Sequence, residues 1–289
     1  MKLLNLLTAA STLSLAMWSC SGQSDNASNE AASTTPPDVS CMAFSQDIIQ
    51  GTRYFEVDDA ELDGEKCFIT FTCAVDWPRS LGEYDLTTLQ DSVLRFVGGA
   101  PNGNLYDAVD RNLSDLELFG YSKATQLDSL PKDMTDAMMF NSYYADTKVD
   151  VAELTDAYIT LNLGTEMYSG GAHGMYSSQA LSYASAEGKI VDLAYLFKPG
   201  HEKQLVAEIT NSIAQSLTDS DAAKLKEMLL VDSIPVSKNV GLQGGMIVFR
   251  YNPYEILPYS CGMVDAEVSP YSVRDALTPE AIKLLGVEE

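Results

Sequence analysis

The stretch Lys66–Trp77, KCFITFTCAVDW, constrains the fold more tightly than any other part of the chain. Cys67, Ile69, Phe71, Cys73, Val75 and Trp77 alternate with Thr70, Thr72 and Asp76. A period of two puts those large apolar groups on one face, as a strand half-buried against a core requires. RYFEV at 53–57 is a second β-prone run, and Asp63-Gly64 between the two is a hairpin signal. Pro78 is expected to end the second strand, because proline cannot donate to a ladder.

A helix should follow, opened by Asp85 and striped by Leu86, Leu89, Val93 and Phe96 or Val97, until Gly98-Gly99 stops it. A second helix is expected over Leu105–Leu116. Strand alternation returns in AYITLNLGTEMY at 157–168, and QALSYAS and IVDLAYLF flank AEGK as another hairpin. Leu205, Ile209, Ile213 and Leu217 stripe a long helix, and residues 221–230 read as a shorter one. GGMIVFRYNPYEI is a buried strand that turns at Asn252-Pro253, and Thr278 with Pro279 opens a last helix. The order β–α–α–β–β–α–β predicts an α+β fold, an antiparallel sheet packed with amphipathic helices in two intimately associated subdomains.

The chain has 289 residues and is 46% hydrophobic, so a packed core can form. Its formal net charge of −23 argues against nucleic acid and anionic lipid surfaces, and would steer a cationic partner. MKLLNLLTAASTLSLAMWSC reads as a signal peptide over residues 1–19. Ser19 before Cys20 resembles a bacterial lipobox, which makes Cys20 the expected lipidation site. Residues 20–40, rich in Ser, Ala, Asn and Thr, bury almost nothing and read as a disordered tether. The expected address is therefore the cell envelope, on the periplasmic side or the cell surface, with membrane contact through the lipid anchor.

Cys41, Cys67, Cys73 and Cys261 remain as disulfide candidates. Cys67 and Cys73 lie about 20 Å apart if they share one strand, far beyond the roughly 4.4–6.8 Å a disulfide spans. Each should pair elsewhere or stay buried as a thiol, and at least one long-range bridge is expected.

Signals for chemistry are sparse. His173 and His201 are the two histidines, and no G-x-S-x-G, H-E-x-x-H or C-x-x-C occurs. No metal or cofactor is expected. His173 sits in YSGGAHG, Tyr168–Gly174, where glycine permits positive φ or a close backbone approach. Tyrosine is abundant at 15, and Tyr168, Tyr176, Tyr183, Tyr251, Tyr254, Tyr259 and Tyr271 crowd the second half. Large, stiff, amphipathic rings suit a contact surface, although strands also favour tyrosine.

YSGGAHG, then GKIVDLAYLFKPG at 188–200, then FRYNPYEILPYSCG at 249–262 together resemble the C-terminal domain of the RsiV-like family. The resemblance covers about residues 160–289. Residues 41–160 resemble the domain that commonly precedes it, also found ahead of the catalytic part of PdaC-like peptidoglycan deacetylases. The resemblance implies a bacterial extracytoplasmic domain, which in the anti-sigma member serves as a lysozyme receptor. It supplies no catalytic residue. This sequence departs from the anti-sigma pattern because it has no long apolar run after the leader.

The expected organisation is thus a leader (1–19), a tether (20–40), a PdaC-like region (41–160) and an RsiV-like domain (161–289). The expected function is non-enzymatic binding of a cationic, lysozyme-like protein or a peptidoglycan-related ligand. Candidate contacts are Tyr168, Gly170, Gly171, His173, Tyr176, Tyr254 and Glu255. The alternatives are a wall hydrolase with His173 as base, and a purely structural lipoprotein.

Overall fold

The computed structural model describes residues 8–10, 44–58, 66–134, 138–139 and 141–287. Cys20, Cys41, the tether and the Asp63-Gly64 turn lie outside them. The expected hairpin is there: β2 (Phe44–Asp58) and β3 (Lys66–Leu81) pair antiparallel along their length. A three-residue β1 (Thr8–Ala10), inside the stretch read as a leader, pairs with Ile48–Gln50. β4 (Thr125–Leu127) lies on the same edge of β2.

Pro78 does not end β3. The strand continues to Leu81, and a register shift beside Ser45 and Gln46 puts Pro78 opposite Gln46 and Ser80 opposite Ser45. At such an irregularity the missing N–H costs little. The Pro78 carbonyl instead accepts from Gln90 Nε2 at 2.8 Å, tying the strand to the next helix.

The main sheet continues through β5 (Ser142–Leu154), β6 (Tyr158–Tyr168), β7 (Met175–Ala184) and β8 (Lys189–Ile190). Among the described residues only the β3–β5 contact is parallel, and two helices lie in that crossover. α1 (Thr87–Phe96) starts where Asp85 Oδ1 accepts from the Thr87 N–H and hydroxyl, and buries Leu89, Val93 and Leu94. α2 (Leu105–Asn112) is capped by Asn104 and is shorter than expected, since a 3-10 turn takes over at Leu116–Phe119. Both helices pack on the face carrying Ile69, Phe71, Cys73, Val75, Ile159, Leu161 and Leu163, forming the first core.

The second core lies under the C-terminal half. The run expected as the outer strand of the AEGK hairpin pairs for two residues only. Asp192 then accepts from the Tyr195 N–H and starts a helical turn, α3 (Leu193–Leu196). Here a good N-cap overrides β-prone composition. α4 (Glu202–Thr218) buries Leu205, Ile209 and Ile213. α5 (Ala222–Met228) is capped by Asp221, and α6 (Pro279–Leu285) by Thr278. A three-stranded antiparallel sheet, β9 (Val240–Gln243), β10 (Met246–Tyr251) and β11 (Val264–Val268), completes this core.

The two cores share β6 and β7. Tyr158 and Ala184 belong to the second, whereas Ile159, Leu161 and Tyr183 belong to the first. The point between residues 160 and 161 therefore falls inside one strand. Gly241 permits the close approach of the sheets, because a Cβ there would stand 2.7 Å from that of Ala180.

Arg250 joins the layers. It is 5% exposed, donates from Nε and Nη2 to both carboxylate oxygens of Asp265 at 2.9 and 2.8 Å, and from Nη1 to Asn162 Oδ1 and Ser178 Oγ. The outer edge of β7 is closed by side-chain amides. Asn239 accepts from Ala180 N–H and donates to the Ser178 carbonyl, and Asn252 accepts from Ser178 N–H.

The cysteines correct one expectation: Cys73 and Cys261 carry free thiols and form no bridge. Cys73 lies in the first core, where burial pushes its thiol up to about 12. Cys67 points into the same core from β3, with its thiol 3.9 Å from the Phe68 carbonyl.

Arg250→Leu should cost about 3 kcal/mol, because Asp265, Asn162 and Ser178 lose their shared partner together. A lower urea midpoint with an unchanged slope is the expected result, the product of shift and slope being about 3 kcal/mol.

Candidate functional site

β6 and β7 are joined by the loop Ser169–Gly174, and its glycines have separate physical reasons. Gly170 and Gly171 have φ of +96° and +94°, open to glycine and strained for other residues. At Gly174 a Cβ would stand 3.0 Å from the Met167 carbonyl and 3.2 Å from the Tyr144 hydroxyl. The Tyr168 hydroxyl donates to the Gly171 carbonyl at 3.0 Å and fastens the loop.

That loop presents His173 to solvent. Its Nδ1 lies 2.9 Å from the Gly174 carbonyl, so Nδ1 is the donor there. Nε2 faces the Tyr254 hydroxyl at 3.4 Å. The ring stacks on Tyr259 with centroids 3.8 Å apart and planes inclined by 16°. Tyr254 stands 5.7 Å from Tyr259, and Tyr176 meets Tyr259 edge-on at 5.8 Å.

Tyr254 and Tyr259 come from the segment after β10. Asn252, locked to β7, starts the turn, and Glu255 N–H donates back to the Asn252 carbonyl. Tyr254 adopts φ of +70°, and its N–H donates to Leu257. A non-glycine residue held in that region is strained, and here the strain turns an aromatic ring outward over His173.

Strand register adds groups the sequence reading did not single out. Tyr168 stands opposite Tyr144, and Glu166 stands between Asp146 on β5 and Tyr176 on β7. Tyr144 donates to Glu166 Oε1 at 2.7 Å and stacks against Tyr168 at 6.1 Å. The Glu166 bond, then burial, pushes the Tyr144 phenol up to about 12. Burial, then the charge of Glu166, raises the Asp146 carboxyl against a hydrogen bond from Thr72. Tyr259 is also raised, by desolvation first and then by Tyr176, Glu166 and Tyr254.

Of the residues picked from sequence, His173, Tyr176 and Tyr254 meet around Tyr259, whereas Tyr168, Gly170 and Gly171 shape the loop. Glu255 faces its own turn and accepts from Asn252 Nδ2 at 3.3 Å. Tyr144, Asp146 and Glu166 were missed because only register brings them to this face. Tyr183 and Tyr251 are core residues bonded to the carbonyls of Asp85 and Pro235, and Tyr271 is exposed at a site of its own.

Fold and site together define an α+β protein with two packed cores that displays an aromatic, carboxylate-bordered surface. Residues 194–271 match the model of DUF3298, a protein of unknown function. A solved member of the DUF3298 family from Bacteroides fragilis is 19% identical, with 86% of this chain and 99% of that one aligned at a TM-score of 0.65. A DUF3298 family protein from Pseudomonas aeruginosa is 15% identical over 81% and 95%, at a TM-score of 0.52. At these identities the likeness is one of fold. No curated protein matches the sequence.

Glu166→Ala should bring the Tyr144 phenol down from about 12 towards its ordinary value near 10. The check is an ultraviolet tyrosinate titration, with Tyr144→Phe identifying the band. The sign follows because an ionised acceptor beside a phenol favours its protonated form.

Proposed function

We propose that this chain is a non-enzymatic binding module of the cell envelope, held to a membrane by lipid on Cys20, whose partner is a cationic, lysozyme-like protein. One observation carries the reading: the stack of exposed His173 and Tyr254 on half-buried Tyr259, beside Glu166 and Asp146. Aromatic rings supply contact area at low entropic cost, and the carboxylates supply the sign of the field. The net charge of −23 supports the same partner sign. The resemblance of three ordered motifs to the RsiV-like family supports the lysozyme-like class.

His173 favours binding over catalysis. Its Nδ1 is held by the Gly174 carbonyl, its Nε2 faces the Tyr254 phenol, and its ring lies flat on Tyr259, which presents it as contact area. Its ring is a stacked contact surface.

The test is a titration of the chain with lysozyme over a range of salt concentrations. Binding at low ionic strength that weakens with salt is expected. Tyr259→Ala should lower affinity about tenfold, as removal of a central ring does. No binding at low salt would remove the lysozyme version. For the anchor, Cys20→Ser should move the chain from the membrane fraction to the soluble one.

A further inference from the structure

Above the first core, the β5–β7 end of the main sheet turns its other face to solvent. Register places Thr52, Thr72, Asp146, Glu166 and Tyr176 in one row across β2, β3, β5, β6 and β7. Tyr54, Thr70, Tyr144 and Tyr168 form the next row. The first row has exposed residues, Thr52 and Glu166, and half-buried ones, Thr72, Asp146 and Tyr176. Five strands at about 4.8 Å spacing make it about 19 Å wide. Its far end meets the ring of Tyr259, the next ring in the His173 stack.

The charge of this face is unbalanced in a specific place. Asp146 and Glu166 stand directly opposite on antiparallel strands, an unfavourable arrangement for like charges. The ion pairs among the described residues engage other acids: Asp110, Glu56, Asp47, Asp150, Glu187 and Asp265. Lys148, two residues along β5 from Asp146, pairs with Asp150 at 2.9 Å instead. The opposed carboxylates have a threonine and a tyrosine hydroxyl as donors and no cation among the described residues.

We propose that this open sheet face is a docking surface, and that its occupant is an arginine-bearing patch of the partner protein, with a guanidinium placed between Asp146 and Glu166. The inference rests on the binding reading above and adds the part of the surface and the chemistry that reads it. A guanidinium fits for three reasons. Its planar fork of donors can bridge carboxylates on neighbouring strands. Its faces stack on tyrosine rings, and Tyr144, Tyr168, Tyr176 and Tyr259 surround the pair. It is also weakly hydrated, so the half-buried Asp146 carboxylate can take it at lower desolvation cost than an ammonium. Two carboxylates are too few for a calcium cage, which needs six to eight oxygens.

The experiment is calorimetric titration of the full chain at low salt with hexa-arginine, hexa-lysine and spermine. Hexa-arginine should bind several-fold tighter than hexa-lysine. Glu166→Gln and Asp146→Asn should each weaken it about tenfold, as loss of a charge-assisted bidentate pair does. Glu280→Gln on α6, which removes the same charge elsewhere, should leave it unchanged. Glu166 is exposed, so its variant keeps the test usable if the Asp146 variant folds poorly. Equal weakening by all three variants would overturn the proposal in favour of diffuse charge attraction. Spermine matching hexa-arginine would overturn it in favour of a small polyamine. With lysozyme as probe, loss of binding in Tyr259→Ala but not in Glu166→Gln would sink this surface and spare the binding reading. Hexa-arginine binding through Glu166 without any lysozyme binding would uphold the surface and sink the lysozyme version.

Discussion

A guanidinium almost without water fixes the geometry on which the exposed surface depends. Arg250 on β10 bonds Asp265 on β11, Asn162 on β6 and Ser178 on β7. Burying that charge is tolerable because its bonds converge on a carboxylate, an amide and a hydroxyl. Two residues on, Asn252 accepts from the Ser178 backbone, so the side chain and the N–H of one residue on β7 anchor Arg250 on β10 and Asn252 just past that strand. The segment carrying Tyr254 and Tyr259 leaves from that anchor. Its rings reach His173 because the strand before them is pinned to the sheet that ends in the His173 loop.

The same arrangement explains how an acidic surface can carry strain. Tyr254 sits at φ of +70° between two backbone bonds that over-determine it. Opposite, three glycines absorb the tight path of the β6–β7 loop, where side chains would clash or strain. Rigid glycine-shaped and asparagine-anchored loops hold the rings in place before any partner arrives. A contact surface ordered in advance loses little entropy on binding. Like-charged Asp146 and Glu166 are held close on adjacent strands because the ladder beneath them is set by the buried residues of the opposite face.

Much of the secondary structure was legible from local pattern. The alternation around Cys67–Val75, the Leu205–Ile213 stripe and the helix openings at Asp85 and Thr278 are short-range signals that nothing overrode. Pro78 misled because a register shift made room for it. The run after AEGK misled because Asp192 caps a helical turn within a strand-like composition. The expected long-range bridge does not form at Cys73 or Cys261, and Cys73 takes the other course open to it, a thiol packed in the first core. The aromatic surface was half legible. The GGAH and NPYE motifs marked His173 and Tyr254, while Glu255 turned out to serve its own turn.

By itself, the sequence determined the strand and helix periods, the caps, the glycines that tight turns require and the sign of the field. All of these depend on neighbours a few residues apart or on a plain sum of charge. Only the tertiary structure decided which tyrosines are core and which are surface, and that Tyr144, Asp146 and Glu166 lie beside a histidine loop. A strand's pattern says which residues share a face, but the register between strands says which of them meet. That register is set by hydrogen bonds and packing between segments up to about ninety residues apart, as with Asn162 and Arg250.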